Sequence, residues 1–159
     1  MVTLFVAHIR PLLEYCSPLW NLEYLTDTRM LESVQRRWTK QIDGCENLDY
    51  DRRLRQLGLF SLQGRRLRAD LIKIWKAFHP VVDVGLTTIF EFHRINVIRG
   101  YEYEIAMPVC GTNIRRRHFD ARRVAIWNSL PGYVVGAESL DKFKRLLELE
   151  LGDILYSYL

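Results

Sequence analysis

Residues 62–79 read LQGRRLRADLIKIWKAFH and contain the clearest helical pattern in the chain. Apolar side chains recur there at the spacing of one helix face, namely at Leu67, Leu71, Ile74, Trp75 and Phe78. Basic side chains project on the other side, within about 160° of one another: Arg65, Arg66, Arg68, Lys73 and Lys76. Ser61 is a candidate N-cap and Pro80 ends the pattern. The segment therefore predicts an amphipathic helix with a cationic outer face.

A second amphipathic helix is predicted over residues 27–42, DTRMLESVQRRWTKQI, with Thr26 as its N-cap and Gly44 beyond its end. Its apolar stripe is predicted to face the core and consists of Met30, Leu31, Val34, Trp38 and Ile42. The basic residues project away from that stripe: Arg29, Arg36, Arg37 and Lys40. Both helices are therefore predicted to have one apolar face and one cationic face.

The rest of the chain predicts a mainly α fold with one exception. Helices are expected over residues 3–15 with an interruption at Pro11, over 49–58 with Asp49 as N-cap, over 115–130 up to Pro131, and over 140–151 after Ser139. Alternation in period two around Arg99 and Gly100 predicts a small β-hairpin or short strands near 93–107. The predicted organisation is a helical region (1–80), a connector (81–110) and a second helical region (111–159).

Composition places limits on the class of protein. The chain has 159 residues, 48% of them hydrophobic, and four Trp, which is enough for a packed core. No stretch approaches the roughly 20 apolar residues of a membrane helix, and the first residues do not resemble a signal peptide. Three Cys without metal-ligand spacing predict free thiols. We therefore expect an intracellular protein that does not contact a membrane.

Motifs for chemistry are absent from the sequence. It has no phosphate-binding glycine loop, no nucleophile elbow, no zinc-protease motif and no adjacent Asp pair. Asp49 and Asp51 form a D-x-D that resembles a metal-binding pair, although a helix cap explains Asp49 better. We therefore predict no catalytic residue, no metal site and no cofactor in this chain.

The basic residues are the remaining functional signal. The net charge is +4, and residues 49–79 alone hold eight Lys or Arg against three Asp or Glu. Candidate nucleic-acid-binding residues form three clusters: Arg36, Arg37 and Lys40; Arg65, Arg66, Arg68, Lys73 and Lys76; and Arg115, Arg116, Arg117 and Arg122. Each cluster can equally be a solvated helix face. Of the Trp residues that could stack on bases, Trp38, Trp75 and Trp127 lie on apolar stripes and are expected in the core, unlike Trp20.

Four stretches resemble one known family. They are IRPLLEYCSPLWN (9–21), LESVQRRWTKQI (31–42), YDRRLRQLGLFSLQGRRLRADLI (50–72), and WNSLP (127–131) followed by Phe143-Lys144. In this order they resemble the C-terminal part of the reverse transcriptase of LINE-type, non-long-terminal-repeat retrotransposons. The resemblance implies a thumb-like helical bundle, just after the polymerase palm, that packs along a template–primer duplex.

Further expectations follow from this resemblance. The palm and fingers domains, with the Asp pair that binds divalent metal such as Mg, would be missing, so the chain would be a truncated remnant. Its partners would be RNA or DNA backbone, above all an RNA–DNA hybrid, and the missing polymerase domains. The sequence departs from the family pattern at Gly64, which is expected to weaken its helix, and at Arg123, whose charge lies on an apolar arc and must be paired or reach solvent.

Two other interpretations remain open at this point. In one, the chain is a helical protein–protein interaction module whose exposed face docks on the palm. In the other, it is a transposon-derived fragment without function. Under the leading interpretation, replacing Arg65, Arg66 and Arg68 together is expected to weaken nucleic-acid binding without unfolding the chain.

Overall fold

The computed structural model describes residues 2–20, 24–79 and 103–157, and these residues are mainly helical, as predicted. The helices in chain order are α1 (Val2–Leu4), α2 (Arg10–Glu14), α3 (Ser17–Trp20), α4 (Leu25–Thr39), α5 (Tyr50–Gln56), α6 (Leu62–Phe78), α7 (Asn113–Arg117), α8 (Phe119–Arg122), α9 (Val124–Ser129), α10 (Gly132–Val135) and α11 (Leu140–Leu151). A π-helical turn, Phe5–Ile9, separates α1 from α2, and a 3-10 turn, Gly152–Leu155, follows α11. Among the described helices, none combines the length and the apolar composition that a membrane span requires.

The chain divides into two compact units. Unit 1 contains residues 1–66 and 151–159, and unit 2 contains residues 67–150. The predicted ranges 1–80, 81–110 and 111–159 stay predictions, because residues 80–102 lie outside the described part of the chain. The predicted hairpin near 93–107 falls mostly on those residues. Of its described part, only Ile105 has a bridge-type backbone pairing, so the hairpin is not confirmed.

Pro11 shapes the first helical run of unit 1. A proline has no backbone N–H, and its ring crowds the carbonyl group four residues earlier, here that of Ala7. The turn before Pro11 is accordingly wider than an α-turn, and the Arg10 N–H donates to the Phe5 carbonyl oxygen, five residues back. Phe5 and Arg10 are buried, whereas Ile9 and Leu12 are exposed.

Helix α4 buries a different face from the one predicted. Its buried residues are polar and recur at helical spacing: Thr28, Glu32, Gln35 and Thr39. Met30 and Val34 of the predicted stripe are exposed, and Leu31 and Trp38 are half-buried. The buried direction is therefore turned by roughly 110° from the predicted one, at 3.6 residues per turn. The helix also begins at Leu25, so Thr26 is not its N-cap.

A small apolar cluster fills unit 1 beside α5. It consists of Tyr50, Leu54 and Leu59, with Val2, Trp38, Leu57 and Tyr156 packed against it. Trp38 also stacks on Phe5, with ring centroids 4.3 Å apart. Gly58 follows the C-cap of α5 and has a φ of +62°, in the left-handed region that glycine adopts readily at a helix end.

The first turn of α6 is held by side chains from two other segments of unit 1. Ser61 caps the helix, because its Oγ accepts a hydrogen bond from the Gly64 N–H at 2.9 Å. Glu32 of α4 accepts two more, from the Leu62 N–H at 3.1 Å and the Gln63 N–H at 3.3 Å. Three of the four orphan N–H groups at this helix start are thereby satisfied.

Unit 2 has an aromatic core. Trp75 of α6 stacks on Phe143 of α11 at 5.5 Å, and Phe78 stacks on Trp127 of α9 at 5.4 Å. Trp127 is buried and its Nε1 donates to the Tyr103 carbonyl oxygen at 2.8 Å. The predicted core placement of Trp75 and Trp127 is thus confirmed.

The helix predicted over 115–130 is broken into three short pieces. His118 has extended backbone angles between α7 and α8, and Arg123 lies between α8 and α9. Helical structure is confirmed there, but its continuity is not. Ser139 does cap α11, since its Oγ accepts a hydrogen bond from the Lys142 N–H at 3.3 Å.

Candidate nucleic-acid interface

Helix α4 exposes its predicted cationic cluster. Arg36, Arg37 and Lys40 all lie on the solvent side, and Arg29 is exposed on the same side. The Arg36 guanidinium lies over the Tyr50 ring at 4.9 Å from its centroid, which holds one end of the cluster against α5. Although α4 is turned relative to the prediction, its basic residues still avoid the buried face.

Helix α6 does not form the predicted cationic outer face, because each of its residues is buried or half-buried. Arg65 makes a bidentate ion pair with Glu14 of α2, in which Nε donates to Oε1 at 2.5 Å and Nη2 donates to Oε2 at 3.0 Å. Arg68 pairs with Glu148 of α11 at 2.6 Å. Lys73 and Lys76 are half-buried.

The prediction that Arg66 lies on a cationic outer face is wrong. It is only 2% exposed and points into unit 1, where its guanidinium lies 5.7 Å from the Trp20 ring centroid. Other segments of unit 1 enclose the first turn of α6. A residue opposite the apolar stripe is therefore not exposed to solvent there. Arg65, Arg66 and Arg68 therefore do not share an outward surface.

The third predicted cluster is divided between surface and interior. Arg115 and Arg116 of α7 are exposed, and Arg117 is half-buried. Thr112 caps this helix, because its Oγ1 accepts a hydrogen bond from the Arg115 N–H. Arg122 is half-buried instead, and its side chain is only 4% exposed and makes a 2.9 Å ion pair to Asp70 of α6.

Asp70 also binds Arg123, which the sequence placed on an apolar arc. The Arg123 Nε lies 3.0 Å from the same Asp70 Oδ2 atom, and the Asp70 side chain is fully buried. Of the two outcomes expected for Arg123, pairing or reaching solvent, the structure shows pairing. The partner was missed because Asp70 is more than fifty residues away in the sequence.

A buried polar network in unit 1 was also missed. Tyr50 donates to Glu32 Oε1 at 2.5 Å, and Gln35 Nε2 donates to the Tyr50 hydroxyl at 3.1 Å and to the Phe60 carbonyl oxygen at 3.0 Å. The only sequence signal for it is the regular spacing of Thr28, Glu32, Gln35 and Thr39 along α4. The apolar stripe of the same helix has the same period and gave the stronger pattern.

Burial controls the electrostatics of this network. Burial raises the pKa of the Glu32 carboxyl, and the hydrogen bonds from Tyr50 and the start of α6 oppose that change only in part. The pKa of Tyr50 is also raised, by burial and then by the nearby Glu32 charge. Burial and the positive charge of Arg65 lower the pKa of Arg10. All three groups are buried in the interior of unit 1, and burial is the largest cause of each pKa shift.

The described residues form no metal centre of three or more ligands. Over 2–20, 24–79 and 103–157, no three His, Cys, Asp or Glu side chains are arranged to hold a metal ion. Asp49 occupies the N-cap position of α5, although its side chain makes no capping hydrogen bond. Comparisons of the chain with protein-family models, curated sequences and solved structures find no match.

Proposed function

We propose that this chain binds the phosphate backbone of nucleic acid, as the helical region that follows the palm of a LINE-type reverse transcriptase, and has no catalytic centre of its own. The sequence resemblance suggests the origin. The observation that carries the binding proposal is the exposed cationic side of α4, formed by Arg29, Arg36, Arg37 and Lys40. Exposed Arg115 and Arg116 are a smaller second group.

The geometry of α4 suits a phosphate backbone. At about 1.5 Å per residue, the rise from Arg29 to Lys40 is about 16 Å. Phosphates follow one another about every 3.4 Å along each strand of a duplex, so this length faces several of them. Arg binds phosphate through a planar fork and Lys as a point charge, and neither type of contact identifies a base. We therefore expect binding that depends on charge and hardly on sequence.

Fluorescence anisotropy with a labelled RNA–DNA hybrid tests the proposal. The affinity of the full chain should fall steeply with salt, with a log–log slope of about −0.9 per phosphate contacted, as for B-form DNA. Replacing Arg37 and Lys40 by Gln should weaken binding and reduce the slope by about two contacts' worth.

The double substitution K142Q/K144Q is the matched control. It removes the same number of positive charges from α11, where Lys142 and Lys144 pair with the exposed acids Glu138 and Asp141. Equal losses of affinity in the two double variants would show a dependence on net charge alone. Absence of hybrid binding by the unaltered chain near physiological salt would overturn the proposal.

A second function is favoured by one specific observation. Met30 is 66% exposed and Val34 40% exposed on α4, and Leu25 at its start is 55% exposed. Such apolar side chains on one helix are typical of a surface that another protein covers. In this alternative the chain is a helical interaction module, and in the resembled enzyme the palm would cover α4.

A further inference from the structure

A cavity of about 360 Å³ opens in unit 2, beside α7 and α8. It is lined by Met107, Pro108, Cys110, Arg116, Ala121 and Arg122. Its volume lies within the range of roughly 300–1,000 Å³ in which proteins bind small molecules. The main backbone-binding group proposed above lies on α4 in unit 1, and only Arg116 of the smaller second group also lines this cavity.

The lining combines apolar surface with two guanidinium groups. Met107, Pro108 and Ala121 offer only apolar side-chain atoms, and Met107 is 62% exposed. Arg116 is an exposed residue. Among the residues that the structure describes, no carboxylate forms an ion pair with it.

Arg122 forms a rigid part of the wall. Its Nε and Nη2 donate to Asp70 Oδ2 at 3.3 and 2.9 Å, and its Nη1 donates to the Arg117 carbonyl oxygen at 3.3 Å. A guanidinium held in this way keeps its orientation without a ligand, which lowers the entropy cost of binding. The cavity therefore has one fixed and one adjustable cation.

We propose that this cavity binds a small phosphate ester of nucleotide size. The phosphate group would contact the exposed Arg116 guanidinium, which can bind it through its planar fork. Behind it, the single Asp70 carboxylate pairs with both Arg122 and Arg123, so this buried group keeps a net positive charge that favours an anion. The organic part would pack against Met107 and Pro108. This inference does not depend on the proposed function.

Cys110 provides a direct reporter of occupancy. It lines the cavity and is half-buried, whereas Cys45 is fully buried and Cys16 is exposed. In the full chain with Cys16→Ser, an uncharged maleimide should therefore react mainly at Cys110, which mass spectrometry of the labelled peptide identifies. A nucleoside 5′-monophosphate should slow this reaction at least threefold at constant ionic strength, and the unphosphorylated nucleoside should not.

Two substitutions on α7 separate a site from a general charge effect. Arg116→Gln should abolish the protection of Cys110, because it removes the cavity's adjustable cation. Arg115→Gln removes the same charge from the same helix at an exposed residue that does not line the cavity, so protection should remain.

Three outcomes would overturn the proposal. The first is an unchanged reaction rate at Cys110 with millimolar nucleotide. The second is equal loss of protection in the two Arg variants. The third is protection by inorganic phosphate as strong as that by the nucleoside monophosphate, since the organic part would then contribute nothing.

Discussion

Asp70 pairs with two arginine side chains in the interior of unit 2. One carboxylate oxygen binds both Arg122 and Arg123, and all three side chains are at most 6% exposed. A buried ion pair adds little net stability when it is complete, because desolvation offsets the attraction. Its disruption is costly, however, because the cations stay buried without their partner.

Asp70→Ala should therefore lower the free energy of unfolding by about 3–5 kcal/mol, as measured by urea denaturation. Asp141→Ala is the matched control, because Asp141 is 87% exposed and pairs only with Lys144 at the surface. An exposed pair of this kind contributes about 0–1 kcal/mol. Similar denaturation midpoints for the two variants would contradict the structural role of Asp70.

Glu32 makes stability depend on pH. Burial raises its pKa in the folded chain above the ordinary value of 4.5, so the folded state holds the proton more tightly than the unfolded state does. The stability that protonated Glu32 contributes is fully present below pH 4.5 and is lost as the pH rises through the higher folded pKa. The rest of the chain can follow a different trend, so the effect must be measured as a difference.

The expected difference is between the unaltered chain and Glu32→Gln. As the pH rises from 4.5, the free energy of unfolding of the unaltered chain should fall relative to that of E32Q, which cannot ionise at this position. Glu138→Gln, at a position 87% exposed, should show no such divergence. Parallel pH curves for the unaltered chain and E32Q would show that the pKa of Glu32 is not raised.

At the scale of the helix, Gly64 shows why propensity alone misleads. Glycine in a helix is less favourable than alanine by up to about 1 kcal/mol, so the sequence predicts that Gly64 weakens α6. In the folded chain, a Cβ at this position would overlap the backbone carbonyl group of Leu155. The glycine allows the close approach of two backbones, which no sequence pattern indicates.

Gly64→Ala should therefore destabilise the protein, by about 1–3 kcal/mol, although helix propensity predicts a gain. Thermal unfolding followed by circular dichroism measures the change. Gln63→Ala is a suitable control, because position 63 is half-buried in the same turn and already has a Cβ. A higher melting temperature for G64A than for the unaltered chain would contradict the close approach at Leu155.

For helix α4, the sequence predicts that a helix forms but does not predict which of its faces is buried. Its existence follows from a period of 3.6, but two stripes in it share that period. The polar stripe is buried because Glu32 satisfies the N–H groups at the start of α6 and Gln35 binds Tyr50 and Phe60. These partners lie up to about thirty residues away, so the correct face could not be chosen locally.

The exposed stripe of α4 gives a prediction for the interaction-module alternative. If this stripe is a docking surface, the isolated chain should self-associate in light scattering at high concentration. Replacing Met30 by Gln and Val34 by Thr should then shift it towards monomer. Leu149→Gln, at a residue 80% exposed on α11, should not. A clean monomer before any substitution would argue against this alternative.

At the scale of the whole molecule, the clustering of basic residues along the sequence did not predict which of them form an exposed cationic surface. Residues 49–79 carry a large excess of basic side chains, yet Arg55, Arg65 and Arg68 pair with Asp153, Glu14 and Glu148. The acids come from distant parts of the sequence, so clustering along the chain did not mean clustering on the surface. By contrast, the basic residues of α4 were predicted correctly as exposed.

The order of the chain within unit 1 has a consequence for biosynthesis. Ser61 binds the Leu155 carbonyl oxygen through its N–H at 2.9 Å and its Oγ at 3.1 Å, and Oγ also lies 3.0 Å from the Ser157 carbonyl oxygen. Since unit 2 is encoded between these residues, a ribosome must translate all of it before unit 1 can close. Leu54 and Leu59 therefore lack their packing partner Tyr156 until the end of the chain is synthesised, and a chaperone can bind them during that interval.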